Sequence, residues 1–289
     1  MKVKIADNSF LPFGAKALGL AGDNEGCGPL FFEWDPSPGP GPVKFFTNTA
    51  LDQVAYDDSE KKVALLLECR ATNPEVFECF SEPWRRYDNL FDAVLTNDKA
   101  LLARGLPFRF FPYGGSFIHT SDWGTHAKPE LCSMIVGAKR SAPGHLLRHA
   151  FAEMHGKIDG LRNGGRVELW GEPFGGKFKS KMDALSPYCY SIVVENDKRD
   201  FWFTEKLLDC FAVGTVPIYW GCPSILKYFP HKLGIIQFET IKDLGRILDR
   251  ISKKDYCSRL PAVGENRKRA FIYRCAEDWI FRNYPDLFE

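Results

Sequence analysis

The sequence predicts an α/β protein with two domains, each built on a parallel sheet. One indication is the continuous apolar run Val63 to Leu67, which is typical of a strand buried on both faces. Another is that short apolar runs alternate with helical patterns, as in parallel strands joined by crossover helices. A polar, glycine-containing stretch at 114–130 then interrupts the pattern before it restarts. We therefore expect an N-terminal domain over 1–125 and a C-terminal domain over 126–289, facing each other across a cleft.

The individual strand predictions follow the apolar runs. In the first half the predicted strands are 3–6, 43–47, 62–68, 91–96 and 108–112, with a helical pattern at 98–104. In the second half they are 133–137, 167–170, 189–194, 216–220 and 234–238. A helix is predicted over 144–155, and the tail from Ile241 is expected to be helical. The 289 residues suffice for two domains of ordinary size.

Charge and composition exclude several classes of protein. With 38 basic and 37 acidic residues the net charge is +1, so we expect no nucleic-acid partner. No apolar run is long enough to span a bilayer, and the N-terminus lacks the hydrophobic core of a signal peptide. The nine cysteines are odd in number and include no Cys-x-x-Cys pair, as expected for reduced thiols. We therefore expect a cytoplasmic protein without a transmembrane segment.

The segment 195–221 carries the clearest functional pattern. Glu195 and Asn196 follow a predicted strand, and Thr204 is a favourable N-cap for the helix after it. The first-turn N–H groups and the helix dipole favour an anion there, and Lys206 adds a positive charge. Glu205 can only accept hydrogen bonds when ionised, which suits the hydroxyls of a sugar or ribose. The alternative is an ordinary capped surface helix.

Two other residues are candidates for the same chemistry. Arg148 lies on the predicted helix that follows the first strand of the second half, where a guanidinium can bind phosphates in a bidentate way. Glu68 ends a buried strand and can serve as a general base toward a hydroxyl. Alternatively, Arg148 is a solvated arginine on the helix surface, and Glu68 is a carboxylate with a purely structural role. His145 and His149 share a helix face, but no further metal ligands are evident.

Three familiar motifs are incomplete or missing. The stretch Gly171 to Lys177 has the spacing of a phosphate-binding P-loop, but Phe178 stands where a serine or threonine must bind magnesium. No Asp-x-Asp sequence occurs, so the usual carboxylate pair of metal-dependent sugar-nucleotide transferases is missing. A Gly-x-Gly-x-x-Gly after a first strand is also missing, which argues against an NAD-type dehydrogenase. Neutralisation of phosphate must then come from arginine, lysine and a helix dipole.

Three segments together resemble the donor-binding signature of the α-1,3/1,4-fucosyltransferase family: Tyr190–Asn196, Phe203–Leu207 and Gly214–Ser224. The resemblance is moderate over 131–189 and, over 1–130, limited mainly to the surroundings of Glu68. It implies the GT-B fold of two facing Rossmann-like domains. It also implies inverting transfer of fucose from GDP-fucose to a glycan hydroxyl, with no metal and no other cofactor.

The resemblance also implies a role for each matching residue. Glu68 would be the general base. The donor diphosphate would be bound by Arg148, Lys206 and Thr204, and the donor sugar or ribose by Glu205, Asn196, Glu195 and Trp202. Two alternatives stay open: the same fold with a different nucleotide-sugar donor, and a non-catalytic sugar- or nucleotide-binding protein.

Overall fold

The computed structural model describes residues 1–8, 28–81, 87–157, 167–172 and 179–289. These form two compact units. The first comprises residues 1–116, 200–202 and 273–289, and the second comprises 117–199 and 203–272. Each unit contains a parallel sheet, so the predicted α/β class is confirmed. The C-terminal tail and the short segment 200–202 group with the first unit.

The first unit is built on a six-stranded parallel sheet in the order β2-β1-β3-β4-β5-β6. Its strands are β1 (Lys2–Ala6), β2 (Glu33–Asp35), β3 (Val43–Thr47), β4 (Lys61–Leu65), β5 (Ala93–Thr96) and β6 (Phe108–Phe110). Its α-helices among the described residues are α1 (Pro74–Ser81), α2 (Lys99–Leu102) and the C-terminal α8 (Ala276–Asn283), and a 3₁₀ helix spans Asn48–Tyr56.

Both faces of this sheet are covered by apolar side chains. Phe45 and Leu65 belong to one cluster of buried residues, whereas their neighbours Phe46 and Ala64 belong to a second cluster. Successive side chains of a strand point to opposite faces, so a strand covered on both sides needs an apolar residue at every position. This explains the continuous apolar run at Val63–Leu67, all of it fully buried.

The C-terminal tail completes the core of the first unit. Trp279, Ile280 and Leu287 are buried in the same cluster as Phe45. The sequence prediction placed this tail in the second domain because it follows the second half along the chain. Burial of its aromatic and aliphatic side chains against the first sheet accounts for the difference, since removing apolar surface from water is the main favourable term in folding.

The second unit is built on a five-stranded parallel sheet in the order β11-β10-β9-β7-β8. Its strands are β7 (Glu130–Ile135), β8 (Val167–Trp170), β9 (Tyr188–Val194), β10 (Val216–Trp220) and β11 (Ile236–Gln237). Its described α-helices are α3 (Pro143–Lys157), α4 (Lys181–Leu185), α5 (Glu205–Ala212), α6 (Ile241–Leu248) and α7 (Lys253–Ala270). The chain moves from β7 to one side for β8 and then to the other side for β9. A ligand-binding crevice is expected where the strand order reverses in this way.

The unit β9–α5–β10 agrees closely with the sequence prediction. The hydroxyl of Thr204 accepts a hydrogen bond from the amide of Lys206, so Thr204 is the N-cap of α5. The helix ends just before Gly214, whose φ of +73° is the left-handed conformation that glycine adopts without strain. Strand β10 has the predicted bounds. The predicted strand 234–238 is shorter, because residues 232–234 form a 3₁₀ turn.

The P-loop-like stretch, the cysteines and the absence of a membrane-spanning helix can be compared with the structure only within the described residues. Most of the P-loop-like stretch, residues 173–178, lies outside the described residues. The cysteines within the described residues form no disulfide, and six of them are buried. The described ranges contain no helix that is long and apolar enough to cross a membrane.

Candidate functional site

Helices α3 and α5 bring charged side chains to the crevice between β7 and β9. Helix α3 follows β7 and carries Arg148, whereas α5 follows β9 and begins with Glu205 and Lys206. A pocket of about 110 Å³ lies there, and it is lined by Arg148, Lys181, Glu205, Lys206 and apolar residues that include Ile135 and Val194. The structure thus unites the arginine and the Thr-Glu-Lys segment that the sequence identified separately. Parallel strands direct their carboxyl ends to one edge, and the two helices start from that edge.

A buried glutamate holds the start of α5. Glu195 is fully buried just beyond the end of β9, and its two carboxylate oxygens accept hydrogen bonds from the amide (2.9 Å) and the hydroxyl (2.7 Å) of Thr204. Burial raises the pKa of Glu195, and the ammonium of Lys206, 3.8 Å away, partly offsets this. Glu195 therefore anchors the N-cap of α5 in this structure, and the sugar- or ribose-binding role that the resemblance implies for it stays a prediction.

Lys206 lies among oxygen atoms at the helix start. Its Nζ is 3.2 Å from the Thr204 hydroxyl oxygen and 3.2 Å from Glu205 Oε1. One quarter of the side chain, 25%, remains exposed. The ammonium is thus within reach of a ligand, although that ligand must compete with Glu205 and Glu195 for it.

A second lysine, which the sequence did not reveal, also lies close to Glu205. Lys181 Nζ is 3.6 Å from Glu205 Oε1 and 2.8 Å from Asp209 Oδ2, and it lies over the ring of Phe117 at 4.2 Å. Burial acts to lower the pKa of Lys181, but Asp209 and Glu205 outweigh it and raise that pKa. The Ser180 and Asp183 capping box at the start of α4 was a readable sign of this helix.

Glu205 is held in its ionised form. Burial acts to raise the pKa of its carboxyl group, but Lys206 and Lys181 outweigh burial and bring the pKa to about 2. Its side chain is 13% exposed, and it lines the pocket. A carboxylate that stays charged at neutral pH can only accept hydrogen bonds, so it suits ligand hydroxyls.

Arg148 also lines the pocket, and Asn196 binds its guanidinium. The buried guanidinium donates from Nη2 to Asn196 Oδ1 at 2.7 Å and from Nε to the carbonyl of Gly144 at 3.2 Å. Burial lowers the pKa of Arg148, and Glu195 and Glu205 partly offset this. Arginine remains protonated because its ordinary pKa is above 12. Asn196 thus orients the arginine that the sequence assigned to phosphate.

His145 lies on the same helix as Arg148 and close enough to be affected by its charge. Its Nδ1 accepts a hydrogen bond from the amide of Ala142 at 3.1 Å, and the side chain is 5% exposed. Burial and the nearby Arg148 lower its pKa to about 4, so the imidazole is neutral at physiological pH. Within the described residues no group of three or more histidine, cysteine, aspartate or glutamate side chains could hold a metal.

The charges at the crevice balance. Three cations, Arg148, Lys181 and Lys206, accompany three acidic side chains, Glu195, Glu205 and Asp209. Close approach of the chain helps to bring them together, since a Cβ on Gly144 would overlap the carbonyl oxygen of Glu195. Gly144 also donates its N–H to the carbonyl of Asn196 at 3.0 Å. The end of β9 and the start of α3 are therefore in direct backbone contact.

Glu68 and Trp202 lie in the first unit. Glu68 is partly buried just beyond β4, and its Oε2 accepts a hydrogen bond from the hydroxyl of Thr72 at 3.1 Å. The nearby Arg70 pairs with Asp98 at 2.7 Å. Trp202 is 1% exposed and contacts Tyr113, with ring centroids 5.5 Å apart. The assigned roles of both residues stay predictions.

Part of the chain is similar in sequence to a known fucosyltransferase. No family model matches the chain. The chain is 32% identical over 137 residues to α-(1,3)-fucosyltransferase FucT of Helicobacter pylori, a match that covers 43% of this chain and 27% of that protein. The match thus spans about a quarter of the length of that relative.

Two solved structures share the fold. One is an α1,3-fucosyltransferase crystallised with GDP-fucose, with a TM-score of 0.54 and 18% identity over 89% of this chain and 80% of the other. Another is sucrose-phosphate synthase from Thermosynechococcus elongatus, with a TM-score of 0.56 and 13% identity over 86% of this chain and 74% of the other. At these identities the likeness concerns the fold, and it confirms the predicted GT-B type.

Proposed function

From its relationship to the α-1,3-fucosyltransferases, we propose that this chain is an inverting glycosyltransferase that moves fucose from GDP-fucose to a glycan hydroxyl. The observation that carries the proposal is the meeting of Arg148, Glu205 and Lys206 at the strand-order reversal of the second sheet. A guanidinium, an ammonium and a helix N-terminus suit a diphosphate, and an ionised carboxylate beside them suits ribose or sugar hydroxyls.

The proposed reaction is a single displacement. The carboxylate of Glu68 takes the proton of the acceptor hydroxyl. The acceptor oxygen forms a bond to the anomeric carbon of fucose while the bond from that carbon to the diphosphate oxygen breaks. The bonding electrons leave with GDP, and the configuration of the anomeric carbon inverts.

The second unit stabilises the leaving group in this proposal. Negative charge grows on the diphosphate as its bond to the sugar breaks. Arg148 and Lys206 are already in place before the reaction, so little reorganisation is needed. No metal takes part, because the phosphate charge is neutralised by these cations and by the N-terminus of α5.

The test is GDP release from GDP-fucose by the purified protein, with an acceptor panel and with EDTA present. We expect turnover that depends on the acceptor and is unchanged by the chelator. Turnover that is lost with EDTA and restored by a divalent cation would contradict the metal-independent mechanism.

Donor identity needs its own experiment. A thermal-shift panel of GDP-fucose, GDP-mannose, UDP-glucose and UDP-galactose should show the largest stabilisation with GDP-fucose, since a ligand that binds the folded state raises its apparent stability. A larger shift with a UDP-sugar would favour the same fold with another donor. Binding of GDP-fucose without turnover on any acceptor would favour a non-catalytic binding protein.

A further inference from the structure

A groove of about 430 Å³ lies in the first unit, between the 3₁₀ helix Asn48–Tyr56 and α1. The described residues that line it include Asn48, Leu51, Asp52, Glu75, Val76 and Tyr87. Its volume is in the range of small-molecule sites, which is roughly 300–1,000 Å³. None of the roles assigned above uses this groove.

The lining combines apolar and hydrogen-bonding surface. Leu51 and Val76 are 2% and 3% exposed and form its apolar part. Asp52 comes from the 3₁₀ helix and Glu75 from the first turn of α1, so each of the two helices contributes a carboxylate. The hydroxyl of Tyr87 donates to Asp52 Oδ1 at 2.6 Å, which fixes that carboxylate, and among the described residues none donates to Oδ2.

This chemistry selects a class of ligand. The carboxylates accept hydrogen bonds from hydroxyl donors, while apolar side chains and a tyrosine ring pack against the C–H faces of a sugar. Both charged side chains that the structure describes in the lining, Asp52 and Glu75, are acidic, and their like charge disfavours phosphate and carboxylate ligands there. A neutral, hydroxyl-rich saccharide fits both properties.

One end of the groove is tied to the segment that carries Glu68. Asn48 follows β3 directly, has a φ of +34° and is 3% exposed. Its Oδ1 accepts a hydrogen bond from the amide of Leu67 at 3.2 Å, and Leu67 immediately precedes Glu68. With the oxygen used in this way, the NH₂ group is what Asn48 offers to a ligand. The groove and Glu68 therefore lie at the same carboxyl edge of the first sheet.

We propose that this groove binds the acceptor, as a neutral saccharide whose reacting hydroxyl is presented toward Glu68. The inference rests on the proposed function for the role of Glu68, but binding of the saccharide itself does not. Asp52 and Glu75 accept hydrogen bonds from hydroxyls of the sugar, and Asn48 donates to a ring or hydroxyl oxygen.

Saturation-transfer NMR tests binding without any need for turnover. The probes are methyl β-D-galactopyranoside, methyl β-D-glucopyranoside and N-acetylglucosamine, with glucuronic acid as the anionic control. We expect signals from at least one neutral probe and a roughly tenfold weaker affinity in Glu75→Ala, since a charge-assisted hydrogen bond is lost. The matched control is Glu78→Ala, which removes an exposed carboxylate of the same helix that does not line the groove. Binding of glucuronic acid alone, or equal effects of the two variants, would overturn the inference.

Kinetics separate this inference from the proposed function. The acceptor is the probe that gives the strongest saturation transfer. Glu75→Ala should raise the KM for that acceptor about tenfold and leave the affinity for GDP unchanged. Saccharide binding that depends on Glu75 without transfer of fucose would support the groove and contradict the proposed function. Transfer with an unchanged acceptor KM in Glu75→Ala would support the proposed function and overturn the groove.

Discussion

Lys181 is held by Asp209, with 2.8 Å between Nζ and Oδ2, and the carboxylate of Asp209 is fully buried. Asp209 also accepts the amide of Phe117 at 2.9 Å, so its position is fixed from two sides. From there the ammonium of Lys181 reaches Glu205 and helps to keep that carboxyl group ionised. Lys181 therefore acts on the proposed donor site through Glu205.

Removal of Lys181 should make GDP binding sensitive to acid. In Lys181→Met together with Asp209→Asn, no buried charge is left without a partner, and Glu205 loses one of its two cations. Its pKa of about 2 should then rise, so calorimetry should show weaker GDP binding by the variant at about pH 5 than at about pH 7.

In the parent protein Glu205 stays ionised throughout this range, so its GDP affinity should change only with protonation of the terminal phosphate of GDP, whose second pKa is about 6, and the double variant should lose more. A control is Lys128→Met in the same unit. Lys128 donates to Ser186 O, Val213 O and Thr215 Oγ1 and has no carboxylate partner in these bonds. That variant should lose stability without acquiring the acid sensitivity. The interpretation fails if both variants show the same dependence on pH.

Lys206→Ala should weaken GDP binding by roughly ten- to a hundredfold, because a charge-assisted contact with the diphosphate is worth about 1.5–3 kcal/mol. Lys227→Ala is the matched control, since Lys227 is an exposed lysine of the same unit outside the pocket. Calorimetric titration with GDP measures both variants. Equal affinities of Lys206→Ala and the parent protein would remove Lys206 from the site.

Glu68→Gln should lower kcat by at least about a hundredfold and leave the affinity for GDP-fucose unchanged, because a glutamine cannot take the proton of the acceptor. Steady-state kinetics and donor titration are measured on the same preparation. Glu153→Gln, which changes an exposed carboxylate of α3, serves as the control. Normal turnover of Glu68→Gln would show that another group is the base.

His145 should make the unliganded protein less stable in mild acid. Its pKa is about 4 in the folded state against an ordinary 6.5, so the unfolded chain binds more protons between these values and stability falls as pH decreases through them. The expected loss between about pH 7 and about pH 5 is roughly 2 kcal/mol. Urea unfolding of the parent and His145→Asn measures it, and the variant should lose less. Glu205 does not obscure this range, since its own transition lies at lower pH.

Asn97→Ala should stabilise the protein. The amide of Asn97 is fully buried just after β5, and within the described part of the chain neither of its polar atoms has a hydrogen-bond partner. A buried polar group of this kind costs about 1–3 kcal/mol, so its removal should raise the free energy of unfolding by about 1 kcal/mol.

The contrasting variant is Asn266→Ala. Asn266 is equally buried, but its amide exchanges two hydrogen bonds with the backbone of His231. Its replacement should lower the free energy of unfolding by about 1–2 kcal/mol. Urea denaturation compares the two, and destabilisation by both would contradict the explanation for Asn97.

Local patterns explain why the sequence predicted the β9–α5–β10 unit well. The N-cap at Thr204 and the turn at Gly214 depend on residues within one turn of themselves, so they are readable from the chain. Lys181 was missed because its carboxylate partners are more than twenty residues away, and Asp209 reads as part of the apolar helix α5.

The C-terminal tail, residues 273–289, is a second case in which contacts between residues distant in sequence could not be predicted. Its aromatic pattern predicted a buried helix, but the sheet that it covers is determined by tertiary packing. Glu195 illustrates the limit within the site. Its position after a strand was predicted, whereas its bonds to both polar groups of Thr204 depend on how the loop 197–203 returns to the strand end.

The balance of three cations and three acidic side chains at the crevice has a consequence for selectivity among anions. A site with a large positive excess attracts chloride, sulfate and orthophosphate alike, and its affinity falls steeply with ionic strength. Here carboxylates accompany the cations and reduce the attraction at long range, and neither chloride nor sulfate has a hydroxyl group to offer Glu205. An extended molecule with both phosphates and hydroxyls can bind the cations through its phosphates and Glu205 through its hydroxyls. Such a crevice therefore favours an extended ligand of the proposed nucleotide kind over simple anions.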